Sequence, residues 1–246
     1  MAQQLVVDIG NSSVKAALFE GYTLVEVFHL EHGALCQFLT RMKTNETIHA
    51  AIISSVIPLS KEVAQCIQTL PFPCLHMSSQ FKYPFTIAYK TPETLGPDRL
   101  AAVAEAYAQR PGCDILVIDI GTAITYDVIT ANGVYLGGNI SPGIDMRFKA
   151  LNHFTGKLPL INREGTRTPI GDTTESAIRE GVLQGVVKEI EGYIHEYTTK
   201  HPQLLVFLTG GSAFFLDNRV KSRTFADNSL VIKGLNRILM LNNEII

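Results

Sequence analysis

One short device occurs twice in this chain and constrains most of what the chain can become. Val6-Val7-Asp8-Ile9-Gly10-Asn11-Ser12-Ser13 is echoed by Val117-Ile118-Asp119-Ile120-Gly121-Thr122-Ala123-Ile124. Each copy is an apolar run with an Asp near its end, an apolar residue, a Gly, small residues, then a second alternating run. That order spells a β-hairpin. The first strand delivers a carboxylate, Gly opens the turn, and a strand over Val14 to Phe19 or Ile124 to Ile129 runs back. Gly lets backbone approach a ligand, and Asn, Ser and Thr offer amide and hydroxyl groups beside it. A single turn of this kind is ordinary. Two of them, one at the head of each half, can set two carboxylates and two small-residue turns around one phosphate chain. The repeat predicts a nucleotide clamped between duplicated domains.

Bulk properties admit that reading. With 246 residues, 46% of them hydrophobic and 18% charged, the chain can build two domains with real cores. The formal charge of -2, with Lys and Arg scattered, leaves no basic footprint for nucleic acid and no polybasic anchor for a membrane. The longest apolar runs, Ile115 to Ile120 and Leu204 to Leu208, are strand-length and too short to span a bilayer. The N-terminus leads into a strand with no basic leader. Cys36, Cys66, Cys74 and Cys113 form no C-x-x-C pair and read as free thiols. A soluble, cytoplasmic protein is expected.

Strand patterns fall at Gln4 to Ile9, Val14 to Phe19, Leu24 to His29, His49 to Ser54, Cys74 to Met77 and Phe85 to Tyr89. Helix spacing covers Gly33 to Met42 and Ser60 to Leu70, and a further helix opens with Pro97 and ends before Pro111-Gly112. The second half restarts with strands at Asp114 to Asp119, Ile124 to Ile129 and Val134 to Ile140. A long helix from Thr173 to Thr199 follows, with a capping-box spacing at Asp172 and Glu175. A strand at Leu204 to Leu208 and a helix near Ile232 to Leu241 complete the pattern. Hairpins interleaved with helices predict an α/β fold with mixed sheets, divided into 1–112 and 113–246.

The first turn offers what a triphosphate needs. Backbone N–H groups around Gly10 to Ser13 can face phosphate oxygens, Lys15 can reach a terminal phosphate, and Asp8 would face the Mg²⁺ that bridges phosphates. The spacing is neither a P-loop nor a Rossmann fingerprint. Gly96-Pro97-Asp98-Arg99 sets an acid and a base side by side where a loop becomes a helix. An Asp there can simply complement the helix dipole. Alternatively, Asp98 accepts a proton from a substrate hydroxyl while Arg99 forks onto a substrate carboxylate. Asp119 occupies in the second hairpin the place of Asp8 in the first, and Thr122 follows where a phosphate contact would be useful. Gly137 to Gly143 reads as a close-approach segment or a plain turn, and Thr209 to Ala213 as a strand-to-helix turn able to take a flat ring. Gly181 and Gly185, four apart on the long helix, point to close helix packing, within the chain or across a dimer. The seven histidines show no metal-ligand spacing beyond His29 and His32 and read as structural or surface residues.

In this order the segments resemble the type III pantothenate kinases, of the acetate and sugar kinase, heat-shock and actin superfamily. The likeness runs nearly end to end: Asp8 to Lys15, the G-x-D-R of Gly96 to Arg99, Asp119 to Ala123, Gly137 to Gly143, Gly171 to Gly181, and Thr209 to Gly211. The resemblance implies two actin/ribonuclease H-like domains with a nucleotide cleft, and an ATP-dependent phosphotransferase acting on pantothenate at the start of coenzyme A synthesis. It implies Asp98 as catalytic base, with Tyr89, Gly96, Pro97, Arg99 and Thr174 at the substrate. It implies Asp8, Ile9, Gly10, Asn11, Ser12, Ser13, Val14, Lys15 and Thr122 on ATP, and Asp119 on a monovalent cation, K⁺ or NH4⁺. It also implies a homodimer, with Thr174 reaching substrate across the interface. Ser12 stands where Thr is usual, and Gly171-Asp172-Thr173 stands where Lys-Asn is commoner. The rivals are a nucleotide hydrolase on the same fold, which leaves Arg99 without a task, and a non-catalytic regulator.

Overall fold

The computed structural model describes residues 2–77, 80–165, 168–213, 220 and 222–242. The chain divides into two compact units. The first is Met1–Gly112, Ile129–Leu136 and Ser229–Ile246; the second is Cys113–Val128 and Gly137–Asn228.

The first unit is built on five strands: β1 (Gln3–Ile9), β2 (Val14–Glu20), β3 (Thr23–Leu30), β4 (Ile48–Ser55) and β5 (Cys74–His76). Their order is β3-β2-β1-β4-β5. The β1–β2 and β2–β3 pairs are antiparallel hairpins, and β4 and β5 add in parallel. The strict period of two along β1 sorts its side chains. Leu5, Val7 and Ile9 join one core with α1 (Leu35–Met42) and α2 (Lys61–Gln68). Val6, with Ala17, Phe19 and Ile52, joins the opposite core with α3 (Pro97–Gln109) and the C-terminal helix (Leu230–Leu241). Asp8 follows Val6 by two residues, Lys15 precedes Ala17 by two, and Ser54 follows Ile52 by two. All three therefore lie on the face that α3 covers.

The C-terminal helix departs from the expected 1–112 and 113–246 division. It packs on α3, donates from Asn236 Nδ2 to Gly21 O at 2.7 Å, and pairs Arg237 Nε with Glu105 at 2.9 Å. Its apolar stripe (Ile232, Leu235, Leu239) has the same appearance whichever sheet it covers, so only the fold assigns it. β6 (Thr86–Ile87) pairs in parallel with Val134 and Tyr135, which also belong to the first unit.

The second sheet takes the order β11-β10-β7-β8-β9-β6, with β7 (Ile115–Ile120), β8 (Ala123–Ile129), β9 (Val134–Pro142), β10 (Leu205–Thr209) and β11 (Phe225–Ala226). Its core gathers Leu116, Ile118, Tyr126, Leu183, Val186 and Leu208. Two helices pack there, α4 (Ile144–His153) and α5 (Thr174–Lys200), and the C-terminal helix follows them as α6. The sequence does not announce α4, because only Ile144 and Phe148 are buried along it and its apolar stripe is too thin to read. Gly137 to Gly143 is mainly strand β9 rather than a turn. The capping box of α5 lies one residue later than expected. Thr173 Oγ1 accepts from Ser176 N at 3.1 Å and Ser176 Oγ accepts from Thr173 N at 2.9 Å, while Asp172 accepts from the Ser176 hydroxyl. Gly181 and Gly185 face open space within the chain, so intramolecular packing does not require them.

Candidate active site

The first hairpin places its chemistry by register alone. Asp8 sits directly across from Lys15 on β2 and directly beside Ser54 on β4. Register partners project to the same face, so a carboxylate lies between an ammonium and a hydroxyl. Gly10 N donates to Ser13 O at 3.0 Å and closes the turn, leaving Asn11, Ser12 and Ser13 exposed at its tip.

Asp8 is electrostatically the most unusual group of this face. Its Oδ1 is buried without a hydrogen bond. Burial, and then the charge of Asp98, push its carboxyl up from 3.8 to about 6; the Ser54 hydroxyl and the Lys15 ammonium oppose the rise without cancelling it. The Ser54 hydroxyl is near enough to act on the carboxylate, although the two do not close into a hydrogen bond. The carboxylates of Asp8 and Asp98 are thus near enough for the charge of one to act on the other. That arrangement favours a cation between or beside them.

Asp98 owes its position to the start of α3. Gly96 is the N-cap and Pro97 occupies the first turn, where its missing N–H costs nothing. Asp98 Oδ1 accepts from the Arg99 backbone N–H at 2.9 Å, which turns the carboxylate back over Gly96. A Cβ on Gly96 would fall 2.6 Å from that oxygen. The atom in the way is the end of a side chain, so Gly96→Ala should leave stability within about 1 kcal/mol. It should nevertheless swing Asp98 aside and lower kcat by roughly 10²-fold, read by steady-state kinetics beside a thermal melt. Arg99 is only 6% exposed, and its guanidinium carbon lies 5.8 Å from the Tyr89 ring centroid. The fold therefore brings Tyr89 and Arg99 together, as a cation on an aromatic face.

The second hairpin repeats the scheme in its own unit. Asp119 sits beside Thr209 in the parallel β7–β10 register, and Gly121 N donates to Ala123 O at 3.0 Å to close the turn. Thr122 is exposed at the tip, and its carbonyl accepts from Gly143 N at 3.0 Å, so the start of α4 props the turn. Gly210 adopts φ +93, and a Cβ there would fall 2.3 Å from Asp119 Oδ1 and 2.6 Å from Ile120 N. Gly210→Ala should cost roughly 2–3 kcal/mol, lowering Tm by several degrees, because both the left-handed backbone and the packing oppose a side chain. Thr174, the first residue of α5, is exposed and lines an apolar groove of about 870 Å³ with Arg147, Phe154 and Ile178.

Reading the sequence missed Ser54, a single hydroxyl at the end of an apolar strand and so a faint signal. Thr209 and Gly143 fall in segments the sequence singles out, but their pairing with Asp119 and with the Thr122 turn is not visible there. Among the described residues no group of three or more His, Cys, Asp or Glu lies together that could hold a metal unaided. Among them too, no helix is long and apolar enough to cross a membrane.

A model of the family described as type III pantothenate kinase matches residues 4–196. The chain belongs to the type III pantothenate kinase family. It is 49% identical over 241 residues to a type III pantothenate kinase of Phocaeicola vulgatus, covering 98% of this chain and 99% of that protein. Among solved structures, a Baf family protein from Campylobacter jejuni superposes with TM-score 0.64 at 25% identity, covering 98% of this chain and 99% of that one. The inorganic polyphosphate/ATP-glucomannokinase of Arthrobacter sp. strain KM reaches TM-score 0.53 at 16% identity, with 98% and 99% covered, a likeness of fold alone. The fold of this pantothenate kinase family member is thus α/β, with two mixed sheets in two actin/ribonuclease H-like domains.

Proposed function

We propose that this chain transfers the γ-phosphate of ATP to the 4'-hydroxyl of pantothenate, opening coenzyme A synthesis. The observation that carries the reading is the start of α3. Asp98, near enough to Asp8 to raise its pKa, is followed by a buried Arg99 laid on Tyr89. Arg99 forks onto the pantothenate carboxylate, and Gly96, Pro97 and Tyr89 shape that end of the site. Asp98 orients the acceptor hydroxyl and takes its proton as the oxygen–phosphorus bond forms and the β,γ-bridging bond breaks. A loose phosphoryl transition state asks a base for little more than orientation.

The residues present suit a nucleotide-borne Mg²⁺. A buried carboxylate oxygen with no hydrogen bond and a raised pKa is a group that a cation would satisfy. Asp8 would face the ion, which supplies charge neutralisation on the phosphates and takes its remaining ligands from phosphate and water. Backbone amides of residues 9–14, the Ser12 and Ser13 hydroxyls, Lys15 and Thr122 hold the phosphates, while Asp119 holds K⁺ or NH4⁺. The protein acts in the cytoplasm as a homodimer, with Thr174 contributed to the substrate of a second copy.

The purified protein, given ATP, Mg²⁺ and K⁺, should form 4'-phosphopantothenate, with ATP consumption that depends on pantothenate. Equal ATP consumption with and without pantothenate would identify a hydrolase instead. Tyr89→Ala should raise the pantothenate KM about 5–10-fold and Tyr89→Phe by far less, since the ring rather than the hydroxyl supports Arg99.

A further inference from the structure

Register repeats a second device that neither hairpin motif contains. Ser54, near the end of β4, lies directly beside Asp8; Thr209, at the end of β10, lies directly beside Asp119. Both side chains are sealed, Ser54 at 0% and Thr209 at 1% exposure. Neither hydroxyl makes a hydrogen bond, and Asp8 Oδ1 is likewise buried without one. An unsatisfied buried hydroxyl costs free energy that an Ala or Val would avoid, so such a group calls for an explanation. In each unit it recurs at the same place, next to the carboxylate that precedes the turn.

We infer that Ser54 is a positioning residue whose hydroxyl donates to the Asp8 carboxylate when Mg·ATP is bound, fixing the oxygen that faces the phosphates. Donor and acceptor are register neighbours on one face, and neither the Ser54 hydroxyl nor Asp8 Oδ1 makes a hydrogen bond. Lys15, on the other side of Asp8, is then left to reach phosphate. Hydrogen bonds of this kind are commonly long in the unliganded protein and tighten in the complex. Thr209 is the counterpart on the Asp119 side. The inference rests on the phosphate-binding part of the function proposed above and not on pantothenate as acceptor.

The test is Mg·ATP binding by isothermal titration without pantothenate, for Ser54→Ala, Ser54→Thr, Asp8→Asn and the Ser54→Ala/Asp8→Asn pair. Removing the hydroxyl should weaken Mg·ATP about tenfold, and Ser54→Thr should restore it to within about twofold. In the Asp8→Asn background the Ser54→Ala change should have no further effect. Parallel kinetics should show the loss in the KM for Mg·ATP with the pantothenate KM unchanged. Unchanged affinity in Ser54→Ala, or additive losses in the double variant, would overturn the role. Should wild type bind Mg·ATP yet not phosphorylate pantothenate, the acceptor assignment fails while the Ser54 pattern, if seen, stands.

Discussion

Asp98→Asn should give a folded protein that still binds ATP and pantothenate but turns over roughly 10³-fold more slowly. The fold survives because the amide that replaces the carboxylate keeps an oxygen able to accept the Arg99 N–H, which Asp98 now accepts at 2.9 Å. It also survives because the lost charge is one that presses on Asp8. What disappears is the acceptor for the hydroxyl proton, and an amide oxygen cannot replace it. The loss should fall on kcat, with KM values within a few-fold, since Arg99 and the phosphate turn are untouched. Full activity in the variant would remove Asp98 from the mechanism. A general collapse of secondary structure would show that its role is structural.

Asp8→Asn should act in opposite directions on stability and on nucleotide binding. In the unfolded chain Asp8 ionises near 3.8, in the folded chain near 6. Between these values the unfolded state loses its proton first, so this group's contribution to stability declines as pH rises and its penalty is complete above about 6. A shift of that size is worth roughly 2–3 kcal/mol. Asn carries no such penalty. At about pH 7.5 the unliganded variant should melt roughly 5 °C above wild type, and near pH 4 the difference should vanish. Added Mg·ATP should raise the Tm of wild type clearly more than that of the variant, which binds it more weakly because the carboxylate that faces the cation is gone. Thermal melts at the two pH values, with and without Mg·ATP, test both halves. A variant less stable than wild type at the higher pH would contradict the account of Asp8 as a strained, ligand-seeking carboxylate.

The hairpins and their carboxylates were legible because they are local. Alternation in Val6 to Ile9 and Val117 to Ile120 marks the strands, and a Gly with small neighbours marks each turn. α3 was legible from Pro97, and α5 from a long apolar stripe. What escaped notice depends on residues distant in the chain. Ser54 meets Asp8, and Thr209 meets Asp119, only through parallel pairing, whose register no short window reveals. The same holds for α6, whose stripe does not say which sheet it covers. At the start of α5, Asp172 and Thr173 are both capable N-caps, and the backbone chose Thr173, extended at φ -130 and ψ 162. α4 has two buried residues, too few to set a period. The Tyr89–Arg99 contact was only half visible. Both residues stand out in the sequence, but nothing in their spacing foretells that the ring carries the guanidinium.

The central claim is that the carboxylate at the start of α3 meets the acceptor hydroxyl while the first turn grips the phosphates. A crystal structure with pantothenate, Mg²⁺ and a non-hydrolysable ATP analogue tests it most directly. The account predicts the pantothenate carboxylate on Arg99, the 4'-hydroxyl about 3 Å from Asp98, and Asp8 on the cation side of the phosphates. Pantothenate bound away from Arg99, or its hydroxyl turned from Asp98 toward solvent, would contradict it.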